Sequence, residues 1–178
     1  MPRFIVLLRA INVGGRKAPM EQLRAACIEA GFADVESYIQ SGNLVFTDNR
    51  EAAAIQTAVE QVVAERFGFS SDAIVRTAHE WSTYAAGSPF PDVEVARPNR
   101  LHLCLSKHAP KADAAERLME RATLHERVVL VGDALWVDFG GGVGQSKLTP
   151  VVFDRLVGST VTARNWNTVR KLQAMASP

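Results

Sequence analysis

Two stretches of this chain carry the same order of elements, and that repetition restricts the fold more than any other feature. Between Arg3 and about Ala78, and again between about Asn99 and Ala163, the pattern reads strand, helix, hairpin, helix, strand. In the first stretch, Phe4 to Arg9 is almost wholly apolar, as a strand buried on both faces must be. A polar loop, Ile11 to Ala18, contains Gly14-Gly15, and Pro19 then suits a first helical position before the stripe Met20, Leu23, Cys27 and Ala30. Gly31 ends that helix. Val35–Gln40 and Leu44–Thr47 flank the turn residues Ser41-Gly42-Asn43. Asp48 and Glu51 stand three apart, as a capping pair does, before a helix marked by Ile55, Val59, Val62, Val63 and Phe67 and stopped by Gly68. Ala73–Thr77 closes the set.

The second stretch repeats this with Leu101–Leu105, a helix starting at Pro110, a hairpin across Gly132-Asp133, and a helix opened by Thr149-Pro150 and ended near Gly158. Thr160–Thr162 is its last strand. Asn165 is expected to cap a C-terminal helix carrying Trp166, Val169, Leu172 and Met175. Between the two stretches, Thr77 and Glu80 form a capping box for a short helix, and Gly87 to Pro98 reads as a surface connector. A βαββαβ order is that of a ferredoxin-like unit. The expectation is an α+β protein with two such units in tandem: 1–78, a helical linker and loop over 79–98, and 99–178 including the C-terminal helix.

Composition excludes several function classes. At 178 residues, 47% hydrophobic and 22% charged, the chain is an ordinary globular protein able to bury a core. It has no unbroken run of 18 apolar residues, and its N-terminal apolar run is too short for a signal peptide, so a cytoplasmic protein is expected. Cys27 and Cys104 lie among apolar neighbours and read as buried free thiols. The four histidines have no metal-ligand spacing, so neither a metal nor a cofactor is expected. A net charge of +1 supplies no field for nucleic acid or an anionic membrane, although residues 99–178 hold 11 Lys/Arg against 7 Asp/Glu.

Chemistry has few places to sit. Gly140-Gly141-Gly142-Val143-Gly144-Gln145-Ser146-Lys147 follows a strand and precedes a helix, as a phosphate cradle does, with Lys147 to supply charge. It lacks the Gly-Lys-Ser/Thr ending of a Walker loop, and a glycine connector is the competing reading. Arg9 ends an apolar strand and suits a bidentate grip on carboxylate or phosphate, or else a salt bridge to a nearby acid. Asn12, Gly14 and Gly15 follow in an equivalent loop. If the two loops converge, Arg9, Asn12, Ser146 and Lys147 share one anion. If they lie apart, Arg9 and Lys147 are unrelated charges. The Arg164–Lys171 segment is basic with an aromatic in it, which suits base stacking, but Trp166 also falls on a helix stripe with Val169 and Leu172. No nucleophilic triad or paired-carboxylate motif can be found by spacing, so catalysis is left undecided.

Three blocks together, Leu7 to Gly15, Tyr38 to Phe46 and Arg164 to Leu172, resemble the bacterial domain-of-unknown-function 1697 family across essentially the whole chain. Ala10 stands where the family pattern has Gly, which argues against a special backbone there. The resemblance implies a small cytosolic bacterial protein built from a pair of ferredoxin-like units. It also implies that the named blocks, with Gln40, Ser41, Asn43, Asn165 and Trp166, are its functional surface. It implies no activity. The leading expectation is binding of a small anionic ligand, phosphate-bearing ones included. A non-catalytic interaction module for protein or single-stranded nucleic acid is the alternative, and a structural partner in an assembly is the third.

Overall fold

In the computed structural model, which describes residues 1–177, the first unit is built around β1 (Arg3–Leu8). The chain continues through α1 (Met20–Glu29), β2 (Ala33–Tyr38), β3 (Asn43–Thr47), α2 (Ala52–Phe67) and β4 (Ala73–Thr77). β1 pairs antiparallel with β3 on one side and β4 on the other, giving the order β2-β3-β1-β4. Phe4, Val6 and Leu8 pack with Leu44, Phe46 and Val75 against Leu23, Cys27, Ile55, Val59 and Val63 of the two helices. Ile5, Leu7, Val45 and Ile74, on the opposite face of the sheet, are buried as well. Burial on both faces leaves no polar alternation, which is why β1 is a continuous apolar run.

After α3 (Ala78–Ala85) and α4 (Pro91–Ala96), the second unit repeats the plan. It comprises β5 (Leu101–Ser106), α5 (Ala114–Met119), β6 (Arg127–Val131), β7 (Ala134–Asp138), α6 (Pro150–Val157) and β8 (Val161–Asn165), followed by α7 (Trp166–Ala176). The sheet order β6-β7-β5-β8 matches the first, with β5 central. Cys104, Leu135, Val137 and Phe139 pack against Leu118, Phe153 and Leu156. Both units are ferredoxin-like. The chain divides into Met1–Ser82 with the segment from Leu172, and Thr83–Lys171. The division falls inside α3 and α7, so each of these helices contributes residues to both units.

Local signals were mostly legible. Gly68 and Gly158 adopt left-handed caps at φ 75° and 88°. Thr77 and Glu80 form the reciprocal box, Glu80 accepting the Thr77 N–H at 2.7 Å and Thr77 Oγ1 accepting the Glu80 N–H at 3.1 Å. Asn165 caps α7 by accepting the Thr168 N–H at 3.0 Å.

Three readings are corrected. Asp48 and Glu51 do not cap α2: Glu51 makes no side-chain capping bond, and Asp48 takes the Arg50 backbone N–H at 2.7 Å and its guanidinium at 2.6 Å. Charge-assisted bonds to a neighbour two residues on outcompete a neutral N–H, and chiefly the Arg50 side-chain bond holds the Asp48 carboxyl below its usual range. α5 starts at Ala114 rather than Pro110, because Lys111 N–H is drawn to Val157 O at 3.1 Å, at the end of α6. Finally, Ala10 has φ 52°, so the backbone there is left-handed although no glycine occupies it.

Candidate functional site

The C-terminal end of β1 is where the loops of the first unit meet. Leu8 N–H donates to Gly42 O at 2.8 Å, tying the strand end to the β2–β3 turn. Gly42 has φ +77°, and a Cβ there would lie 2.5 Å from Ile11 Cγ2 and 2.9 Å from Leu8 Cβ. Only glycine allows this approach. Asn12, itself left-handed at φ 57°, is the knot. Its Oδ1 accepts the Ala18 N–H at 2.8 Å, and its Nδ2 donates to Ala18 O at 3.0 Å and to Gln40 O at 2.7 Å. The fully buried Asn43 donates to Tyr38 O at 2.9 Å and Ser41 Oγ at 3.0 Å. Asn12, Gln40, Ser41 and Asn43 thus fix loop geometry with the polar groups named. Gly14 and Gly15 are exposed in left-handed conformations with open space around them. Val13 and Ile39 project outward at 54% and 51% exposure, and Ile39 does so at φ 50°, a rare conformation for a β-branched residue.

Beside this corner lies a hollow of about 280 Å³ lined by Arg9, Arg16, Glu60, Ser70, Ser71 and Asp72. The sheet builds it. Leu8 is opposite Ala73 in the β1–β4 ladder, so Arg9 continues onto the residues just before β4. Its N–H donates to Asp72 O at 2.9 Å, and Ser71 Oγ donates to Arg9 O at 2.7 Å. Glu60, from α2, accepts the Ala73 N–H at 2.9 Å. Arg16 comes from the loop that Asn12 holds. Its guanidinium reaches Ser70 O at 3.4 Å and lies 5.8 Å from the centre of the Phe69 ring, within cation–π range. Two guanidiniums, two carboxylates and two hydroxyls therefore share one concavity.

The remaining predicted residues belong to the second unit. Ser146 Oγ donates to Glu126 at 2.6 Å, and Glu126 also accepts the N–H groups of Thr123 and Leu124 at 3.0 and 2.7 Å. Burial pushes the Glu126 carboxyl up, but the bonds from Ser146 and the backbone outweigh it and leave the group below its usual range. Ser146, near the end of the glycine loop, is therefore already engaged with a carboxylate of the same unit. Gly141 N–H is donated to Leu124 O at 2.9 Å and Gly142 N–H to Phe139 O at 2.7 Å. The glycines also answer to packing: a Cβ on Gly140 would meet His125 O at 2.7 Å, and one on Gly141 would meet Leu124 Cβ at 2.8 Å. Lys147 is exposed. Asn165 serves as the α7 cap, and Trp166 is buried edge-on against Trp136, with ring centres 5.7 Å apart. Nearby, the buried Asp138 binds Arg127 at 3.0 Å and Arg97 at 3.2 Å, while Arg127 sits 4.5 Å from the Phe90 ring centre. Phe90 precedes α4 and Arg97 follows it, so the cluster holds both ends of that helix.

Arg9, singled out in the sequence, lines this hollow, whereas Arg16, Glu60, Ser70, Ser71 and Asp72 were passed over. A signal did exist. In a βαββαβ sheet β4 runs antiparallel beside β1, so whatever follows β1 must meet whatever precedes β4. Among the described residues, no group of three or more His, Cys, Asp or Glu is arranged to hold a metal ion, and no helix is long and apolar enough to cross a membrane. Both cysteines are free and buried, and burial pushes each thiol up to about 12.

Comparison with known proteins agrees with the fold. The family described as "Protein of unknown function (DUF1697)" matches residues 1–136. The solved structure of the conserved bacterial protein SP0830 from Streptococcus pneumoniae is similar, with a TM-score of 0.75 and 23% identity over 99% of both chains. No curated protein matches the chain.

Proposed function

Because the chain belongs to the DUF1697 family, whose description names no activity, we propose its function from the geometry of the first unit: it binds a small anionic ligand in the hollow at the end of β1. The observation that carries this reading is that Arg9 and Arg16 line the same concavity as Ser70 and Ser71. Guanidinium groups grip carboxylate and phosphate through paired N–H donors, and hydroxyls complete such a shell. Arg9 extends a strand buried on both faces, and Arg16 sits on a loop pinned by three Asn12 hydrogen bonds, so both are presented by well-supported backbone. Phosphate-bearing and carboxylate ligands are both within this class. A cytosolic bacterial setting goes with it, since the two free thiols suit a reducing compartment.

The test is a thermal-shift panel of phosphates, nucleotides and carboxylates on the full chain. A ligand that binds only the native state at a hundred times its Kd stabilises by about 2.7 kcal/mol. Arg16→Ala should abolish the shift. A panel in which no anion raises the melting temperature, or in which Arg16→Ala leaves the shift intact, refutes the proposal.

One observation favours a second reading, a non-catalytic interaction module. Val13 and Ile39 are exposed on the same knotted corner, and Ile39 bears backbone strain with little burial in return.

A further inference from the structure

Each four-stranded sheet ends in two edge strands, and an edge strand turns backbone N–H and C=O groups outward, ready to pair with another chain. Three of the four edges are blunted. At β4, Glu60 of α2 accepts the outward Ala73 N–H at 2.9 Å, and the Arg76 guanidinium donates to the Val75 carbonyl at 2.9 Å. β8 repeats both devices at the equivalent positions. Asp154 of α6 accepts the Val161 N–H at 2.9 Å, and Arg164 donates to the Ala163 carbonyl at 2.9 Å. β2 is blunted by other means. Its register against β3 shifts between Ala33 and Glu36, Asp34 sits at φ 52°, and both Asp34 and Glu36 are exposed.

β6 has none of these devices. Its ladder with β7 runs from Arg127–Asp138 to Val131–Ala134 without a shift. The two-residue turn Gly132-Asp133 makes Val131 and Ala134 a pair that exchanges both bonds. Bonding to β7 then alternates, and Val128 and Leu130 turn their N–H and C=O outward. The Val128 N–H meets the Met119 sulfur at 3.2 Å, a weak acceptor. Among the described residues, the outward backbone groups of Leu130 have no hydrogen-bond partner within the chain. Val129 and Val131 are 36% and 53% exposed, and no charged residue lies between Val128 and Val131.

We propose that β6 is the interface of a homodimer, in which the β6 strands of two copies pair antiparallel about a two-fold axis and join two four-stranded sheets into one. A second copy is the occupant that the strand's own chemistry selects. Both members bring unmade backbone bonds at the same positions, so one contact satisfies both. Arg127, the one charged residue of the strand, sits at its start and is held by Asp138 and Asp92. Antiparallel pairing carries the two Arg127 residues to opposite ends, so no like charges meet. Val129 and Val131 of one copy then lie beside the same residues of the other, which removes apolar surface from water. Growth stops at the dimer, because both far edges of the joined sheet are β8, and β8 is capped.

Sedimentation velocity on the full chain from micromolar to millimolar concentration, with hydrogen exchange at each end of the range, tests this. The mass should rise from 19.4 kDa toward twice that value, and exchange of the Leu130 amide should slow as it does. Val129→Lys with Val131→Lys, and Val129→Glu with Val131→Glu, change only exposed positions. Each double variant should stay monomeric, because like charges then face one another across the pair, and an equimolar mixture of the two should recover the dimer. Circular dichroism establishes that each variant is folded. A wild-type chain that stays monomeric throughout overturns the proposal and leaves this edge to a strand of a different protein. A dimer whose Leu130 amide exchanges as fast as in the monomer also overturns it. So does a dimer that persists in both double variants, or a mixture of the two that stays monomeric. The wild-type mass and exchange decide the matter even if a variant does not fold.

Discussion

Replacing Gly42 by alanine tests whether the corner at the end of β1 is held by a close backbone approach. Two costs combine. At φ +77° an alanine occupies the left-handed region, worth about 1–2 kcal/mol. Its Cβ would also lie 2.5 Å from Ile11 Cγ2 and 2.9 Å from Leu8 Cβ. Both neighbours are buried, and Leu8 belongs to the central strand, so relief requires moving core atoms at about 1–3 kcal/mol. The total is about 2–5 kcal/mol, a large fraction of the ~5–15 kcal/mol that holds a domain folded. Gly14→Ala is the internal control, because Gly14 is left-handed at φ +57° with nothing within 4 Å of the added atom. It should lose only the strain term, about 1–2 kcal/mol. Urea unfolding followed by circular dichroism reads both, with unchanged m-values showing that stability alone has moved. Amide exchange at Leu8, whose N–H donates to Gly42 O, places the damage at the corner. If Gly42→Ala costs no more than Gly14→Ala, the close approach contributes nothing and the account of this corner is wrong.

Two further outcomes follow from burial. Cys27 and Cys104 should resist alkylation in the native protein and react once it is denatured, since burial both blocks access and pushes each thiol up to about 12; rapid native labelling of either contradicts this. His102, edge-on to Phe139 with ring centres 5.1 Å apart, is held below the usual imidazole range chiefly by burial, with the nearby Arg164 charge acting in the same direction against a backbone hydrogen bond. The unfolded chain therefore takes up this proton near pH 6.5 while the folded chain does not, so stability is full above that pH and declines as pH falls below it. Urea midpoints between pH 5 and 8 should show that slope, and His102→Phe should flatten it; an unchanged slope in the variant removes His102 as the cause.

The fold was legible because each level of the sequence agreed with the next. Glycine caps at Gly68 and Gly158, the Thr77–Glu80 box and the Asn165 cap all point to the element ends that the apolar spacing marks. The misreadings came where side chains had nearer partners than the pattern assumed. Asp48 took Arg50 in place of the α2 N-terminus, and the segment after Pro110 was drawn to the end of α6 before α5 began. Neither competition is visible in spacing alone, because both turn on three-dimensional proximity. Ala10 is a different case. Its left-handed backbone is imposed by the loop that Asn12 and Gly42 close, so tertiary contacts override the residue's own preference.

The site was half legible for a topological reason. Arg9 could be found from its strand, because a charged residue at the end of an apolar run stands out. Its companions in the hollow come from a helix face and from the residues before β4, and Glu60, Ser70, Ser71 and Asp72 look like ordinary surface positions in one dimension. They become a site only when β4 is laid beside β1, which sets Ala73 opposite Leu8 and carries Asp72 to the Arg9 backbone. The glycine loop shows the reverse. Its composition advertised a cradle for a foreign phosphate, but in the fold Gly140 and Gly141 are small because the Leu124–His125 backbone and side chains press against them. Ser146 answers Glu126, a carboxylate from the same unit. An anion-binding composition had an anion, and the chain supplied it. By the same logic, the hollow beside β1 cannot be read from its arginines alone, because Glu60 and Asp72 are part of its lining.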